Sequence, residues 1–258
     1  MKKKIRKILM AVCGAVFIFS TGAALREMLE YRAIDKLYEE SAAEYTTRVI
    51  TQDSSPEEKE DEAEEKENGV PITVDFEALR KINEDVVGWI YCEGTRINYP
   101  VLQGENNEYY LNHNYRMSED RAGSIFVEMR NTRDFADANT IIHGHHMKNG
   151  AMFATLSDWA DQAYYEEHPI MWLLTPEQNY QIVLFSGYTT KAVSNTYRIF
   201  REDCPEFEEY LQEAVADSDF TADVEIDSKE KFVVLSTCVY YFENARYVLH
   251  GMLVPFEE

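Results

Sequence analysis

Two β-like runs near the end of the chain carry the side chains best suited to covalent chemistry. Residues 231–238 are largely apolar and end in Cys238; after a gap of seven residues, Arg246 opens a second run reaching about 254. A connection that short favours an antiparallel hairpin, which sets Cys238 and Arg246 side by side at one rim of a sheet. A thiol is a soft nucleophile, and a guanidinium is a permanently charged donor for a developing oxyanion, so the pair suits acyl transfer. Such a reaction also needs a group that manages the thiol proton and then protonates a leaving amine, and imidazole does both near neutral pH. His143, His145 and His146 cluster behind a short apolar run at 140–143, with Gly144 marking a turn. Histidines two apart also suit metal ligation, but no carboxylate motif such as HExxH accompanies them. The spacing alone leaves open which of the three would serve.

Residues this far apart must be brought together by a sheet. Strand-like pieces fall at 89–91, 98–102, 124–128, 140–143, 170–174 and 181–187, separated by Gly, Asn and Asp clusters as in a small barrel or sandwich. A short helix carries Phe76, Leu79 and Ile82 on one face. A second is expected from 150 to about 163, with Met152, Phe153, Leu156, Trp159 and Ala160 as its apolar stripe. A third starts near Cys204 and Pro205, where proline suits the first turn, and buries Phe207, Tyr210, Leu211 and Ala214. His113 and His250 read as structural. Cys92 and Cys204 read as ordinary partly buried thiols; with Cys13 and Cys238 they make four cysteines, too few and too scattered for a disulfide framework.

The N-terminus is organised differently. Lys2, Lys3, Lys4, Arg6 and Lys7 precede an uncharged run from 8 to 25, closed by Arg26. Eighteen helical residues span roughly 27 Å, about the hydrocarbon thickness of a bilayer. The basic cluster favours a cytoplasmic N-terminus, which puts everything after residue 25 outside. A cleaved signal peptide is the rival, with small residues at 21–24, but the run exceeds a typical signal-peptide core and favours an uncleaved anchor. Helical spacing continues through Met28, Leu29, Ile34, Leu37 and Tyr38. Residues 53–68 are dominated by Asp and Glu and read as a flexible solvated spacer. The expected organisation is a basic cytoplasmic segment at 1–7, a transmembrane anchor at 8–25, a helix and acidic linker at 26–69, and one catalytic domain at 70–258. The net charge of −22 argues against a nucleic-acid partner.

At this point the sequence resembles a known family. Leu235, Ser236, Thr237 and Cys238 followed by Arg246 resemble the sortase signature T-L-x-T-C with its downstream arginine, although Val234 stands where threonine is usual. Gly144, His145, His146 and Met147 resemble the family's G-H-N/H-M segment, which puts the proton shuttle at His145. Segments beginning at Val74, Val87, Ile97, Tyr110 and Gly123 are similar to class B sortases in the same order, so the resemblance covers about 74–254. It implies a mainly β fold with added helices: an eight-stranded barrel behind an N-terminal transmembrane helix. It also implies a cysteine transpeptidase of the thiol-protease type, needing no metal or organic cofactor, at a Gram-positive cell surface. Such an enzyme cleaves a C-terminal x-P-x-T-G-like sorting signal between Thr and Gly through a thioacyl-enzyme. It passes the surface protein or pilin to an amine, either a peptidoglycan precursor or a pilin lysine. Ser236 and Thr237 match positions lining the substrate groove, as do Asn107 and Leu111; Tyr197 is placed there as a cover. Two alternatives stand beside this reading: a cysteine peptidase that hydrolyses its acyl-enzyme, and a non-catalytic surface or haem-binding module built on the histidines.

Overall fold

The computed structural model describes residues 2–49 and 69–256. The acidic run expected as a spacer lies outside the described residues. Two compact units are distinguished, Met1–Glu40 and Ser41–Glu258. Helix α1 (Lys2–Tyr45) fuses the expected membrane segment and the helix after it into one element. It is long and apolar enough to cross a membrane, with a mean hydropathy of 2.2 over its most apolar stretch.

In the second unit, β1 (Thr46–Arg48) pairs antiparallel with β2 (Ile72–Val74). Val49 N–H adds a bond to the Pro71 carbonyl (3.1 Å), and Asp75 N–H donates to Tyr45 O (2.9 Å). The ladder therefore ties the two ends of the 50–70 stretch together, and both strands lie within the unit that starts at Ser41. The expected domain start at residue 70 leaves out β1 and the buried Ser41 and Tyr45.

Asp75 caps α2 (Phe76–Ile82) by accepting from Ala78 N–H at 2.9 Å. Eight strands follow: β3 (Val86–Tyr91), β4 (Asn98–Leu102), β5 (Ile125–Val127), β6 (Asn139–His143), β7 (Ile170–Leu174), β8 (Asn179–Lys191), β9 (Lys231–Cys238) and β10 (Ala245–Phe256). They close into a barrel in the order β10-β8-β7-β3-β4-β5-β6-β9. Closure removes exposed sheet edges. The β4–β5 and β6–β9 pairs are parallel and need long crossovers. The second crossover carries α3 (Gln162–Glu167) and α4 (Pro205–Ala216).

Pro205 opens α4, whose buried Phe207, Tyr210, Leu211 and Ala214 form the expected stripe. They pack on Phe232 and Val234 of β9, Ile141 of β6 and Val248 of β10. His250 lies fully buried in the same layer, its Nε2 bonded to Tyr210 Oη (3.1 Å) and its ring stacked on Tyr188. Burial pushes its imidazole down to about 3, so it is a neutral core residue. His113 stacks on Tyr109, with Nδ1 2.9 Å from the Tyr109 carbonyl oxygen. Cys92 is also buried, and burial drives its thiol up to about 12.

The helix expected at 150–163 does not form as such. Residues Ala154–Ala160 make a 3₁₀ helix, and α3 starts only at Gln162. Two preceding residues have spent their N–H groups on distant partners: Met152 on Tyr99 Oη (3.0 Å) and Phe153 on His145 O (3.0 Å). Gly150 (φ 82°) and Met152 (φ 58°) turn the chain there, and Asp161 is extended before capping α3. Apolar spacing marked what is buried, but tertiary bonds decided the backbone.

Candidate active site

Strand register builds the site. Arg246 of β10 stands opposite Cys238 of β9, Val248 opposite Ser236, and His250 opposite Val234. On the other side of β9, His143 of β6 is in register with Ser236 and Ile141 with Val234. Because side chains alternate, Val234, Ser236 and Cys238 share one face with Ile141, His143, Arg246, Val248 and His250. Under α4 this face is apolar core. Past the edge of that cover, the same face opens as a groove. The resulting cavity, about 310 Å³, is lined among others by Cys238, Arg246, His143, His145, Ser236 and Tyr197.

His145 stands just beyond the end of β6, where Gly144 N–H is bonded to Ser236 O (3.1 Å). A larger residue at Gly144 would force neighbours to shift, since a Cβ there would come within 2.8 Å of Ile125 and the Phe153 ring. His145 Nε2 lies 2.8 Å from the Leu111 carbonyl oxygen. A carbonyl only accepts, so Nε2 carries the proton of the neutral ring and Nδ1 is its free base. Leu111 belongs to a 3₁₀ turn, Tyr109–Leu111, which is anchored by Ser124 N–H on Tyr110 O (2.9 Å). Gly123, at φ 56°, permits that approach, because a Cβ there would collide with the Tyr110 and Leu111 carbonyls.

Every residue placed at the site by sequence lines this one cavity: Cys238, His145, Arg246, Ser236, Thr237, Asn107, Leu111 and Tyr197. They do so in different ways. Thr237 alternates to the opposite face, with its hydroxyl buried and unpartnered, so it borders the cavity through its main chain. Tyr197 Oη is bonded to Ser236 Oγ (2.8 Å), and burial pushes its hydroxyl pKa up against the opposing charge of Arg246. Asn107 is a brace: Nδ2 donates to Glu128 Oε2 (2.7 Å) and Oδ1 accepts from Met129 N–H (2.8 Å).

The three clustered histidines diverge. His146 sits edge-on to Tyr240, 5.6 Å between ring centroids, and burial lowers its pKa. His143 lies 3.3 Å from Glu128 Oε2. Glu128, Arg130 and Phe126 complete the wall and were not singled out by sequence. The only sequence signal for Glu128 was a carboxylate directly after the apolar residues 125–127, and its partners lie far away along the chain.

Glu128 is 5% exposed. Burial pushes its carboxyl up, but bonds from His143 and Arg130 outweigh that and hold it at about 2, against an ordinary 4.5. A folded-state pKa below the unfolded value stabilises the fold above pH 4.5 and is lost as pH falls toward 2. We therefore expect urea midpoints to fall through that window, with a shallower fall in Glu128→Gln. Equal slopes in the two proteins would rule out this source of acid lability.

Residues 90–254 match the family model described as Sortase domain. The chain is 35% identical over 257 residues to sortase B of Listeria monocytogenes, covering 98% of each protein. Over 163 residues it is 40% identical to sortase B of Staphylococcus aureus, covering 63% of this chain and 67% of that protein. A solved Staphylococcus aureus sortase B–substrate complex superposes with a TM-score of 0.67 at 38% identity, covering 70% of this chain and 85% of that one. A Bacillus anthracis structure described as similar to sortase B gives a TM-score of 0.68 at 31% identity, covering 88% and 98%.

Proposed function

The chain belongs to the sortase family, as a class B cysteine transpeptidase for surface proteins, and we propose that Cys238, His145 and Arg246 are its working groups. The observation that carries this reading is the register pair Cys238–Arg246 at a groove whose next wall holds His145. Cys238 thiolate attacks the threonine carbonyl of an x-P-x-T-G-like sorting signal. Arg246 stabilises the tetrahedral oxyanion. His145, oriented by the Leu111 carbonyl and carrying on Nδ1 the proton taken from the Cys238 thiol, protonates the departing glycine amine, leaving a thioester on Cys238. It then takes a proton from the incoming amine, which attacks the thioester and expels Cys238 as the thiolate, restoring the starting thiolate–imidazolium pair. The acceptor is a peptidoglycan precursor or a pilin lysine. In this reading residues 1–7 stay cytoplasmic, 8–25 span the membrane, and the catalytic unit faces outward, where its substrates are.

The test incubates the protein with quenched fluorogenic x-P-x-T-G peptides and an amine acceptor, followed by mass spectrometry. The expected result is a Cys238 adduct ending at threonine plus an amine-linked product, with a bell-shaped dependence of kcat/KM on pH. Release of free threonine acid at saturating amine would make the protein a peptidase instead. No adduct with any peptide would remove the assignment of Cys238.

A further inference from the structure

The groove wall beside Cys238 holds a charged cluster that the proposed chemistry does not use. Glu128 follows β5, and its carboxylate takes three donors: Arg130 Nε (2.7 Å), Asn107 Nδ2 (2.7 Å) and His143 Nε2 (3.3 Å). An ionised carboxylate can only accept, so it assigns the proton of the neutral His143 ring to Nε2 and leaves Nδ1 as an acceptor. No hydrogen bond from a described residue reaches Nδ1. The imidazole is flanked by the Phe126 ring (5.3 Å between centroids) and the nearly parallel Tyr197 ring (6.3 Å, 20°). Its position is thus fixed by one buried carboxylate and two aromatic faces, while its edge lines the cavity.

Spacing gives this wall a use. His143 is in register with Ser236, two residues before Cys238 on β9. Two strand residues advance roughly 6.6 Å, which is also the two-residue repeat of an extended peptide. A peptide lying along β9 with its attacked carbonyl at Cys238 therefore passes His143 about two residues away.

We propose that Glu128 is a positioning residue for the substrate groove, and that the His143 it holds is a specificity-determining contact whose Nδ1 accepts a hydrogen bond from the bound peptide about two residues from the attacked carbonyl. The proposal rests on the transpeptidase reading for its substrate, but the hold of Glu128 on His143 does not.

The test uses the full chain in detergent micelles, as wild type and as Glu128→Gln, His143→Phe and His143→Asn. Four quantities are read: kcat, KM, the rate of Cys238 alkylation by iodoacetamide mapped by mass spectrometry, and the ¹⁵N signature of the His143 tautomer. Losing one oriented hydrogen bond should raise KM about tenfold in His143→Phe and Glu128→Gln with kcat little changed. In His143→Asn the amide oxygen can occupy the Nδ1 position, and most of the lost affinity should return. Alkylation of Cys238 should be unaffected in all three. Glu128→Gln should also lose the Nε2–H preference of His143, because a neutral amide no longer imposes it. An unchanged KM in His143→Phe, an alkylation rate that falls with turnover, or an Asn variant as impaired as Phe would each overturn the proposal. If the wild type cleaves no peptide, the functional reading fails instead. The tautomer comparison still decides the Glu128–His143 part: an unchanged tautomer in Glu128→Gln overturns it, and a lost preference supports it.

Discussion

Replacing Cys238 with alanine is expected to lower kcat/KM for sorting-peptide cleavage by on the order of 10³-fold or more, with little change in thermal midpoint. The two halves of this expectation have separate causes. Activity should collapse because no other described thiol lines the cavity: Cys92 is buried elsewhere, Cys204 precedes α4, and Cys13 lies in α1. Stability should hold because Cys238 is only partly buried at a strand end, and its truncation removes a single sulfur atom. Val239 N–H remains bonded to Ala245 O (3.1 Å), so the hairpin closes without the thiol. Fluorogenic turnover, the disappearance of the threonyl adduct in the mass spectrum and differential scanning calorimetry together decide the matter. A variant that still turned over within tenfold of wild type would place the nucleophile elsewhere. A surface-binding module built on the histidines predicts a different pattern, with ligand binding undisturbed by the substitution and no turnover in either protein.

The parts of this molecule legible in the sequence are those fixed by neighbours along the chain. The β9–β10 hairpin is closed by a short loop, so the meeting of Cys238 with Arg246 followed from spacing and is seen in the register. The stripe of α4 was equally local, because proline at its start and a 3.6-residue apolar period leave few alternatives. Elements governed by distant partners were not legible in the same way. The 150–163 stretch has a helical apolar pattern, yet Tyr99 and the His145 carbonyl claim two of its backbone donors. The β1–β2 ladder joins residues on either side of the acidic run, and nothing in that run signals that its two ends are tied together. Thr237 was placed in the groove with Ser236 by the family resemblance, whereas strand alternation puts its side chain on the opposite face. Glu128 and His143 are 15 residues apart, and only the antiparallel pairing of β5 with β6 brings them together. The three residues proposed as nucleophile, proton shuttle and oxyanion partner were picked out by motif and line one cavity; the wall that would hold a peptide beside them required the barrel.

The second large effect is expected at Arg246. Its Nη1 donates to the Ala245 carbonyl (3.0 Å), which tethers the guanidinium at the start of β10 while the side chain lines the cavity. Its charge also reaches the Tyr197 hydroxyl, where it opposes the upward push of burial. An oxyanion exists only in the transition state and tetrahedral intermediate, so a residue that stabilises it contributes nothing to ground-state binding. Arg246→Met should therefore lower kcat and kcat/KM by a common factor, on the order of 10³-fold, with KM nearly unchanged. Arg246→Lys should recover only part of that loss. An ammonium restores the charge, but not the planar fork that can bond the Ala245 carbonyl and an oxyanion together. Steady-state kinetics across a full range of peptide concentrations separates the two roles this side chain can have. A rise in KM at constant kcat would make Arg246 part of the peptide-binding wall, and the oxyanion would then need its donors from the backbone. Parallel losses in kcat and kcat/KM, with lysine intermediate between methionine and the wild type, would place the guanidinium on the oxyanion itself.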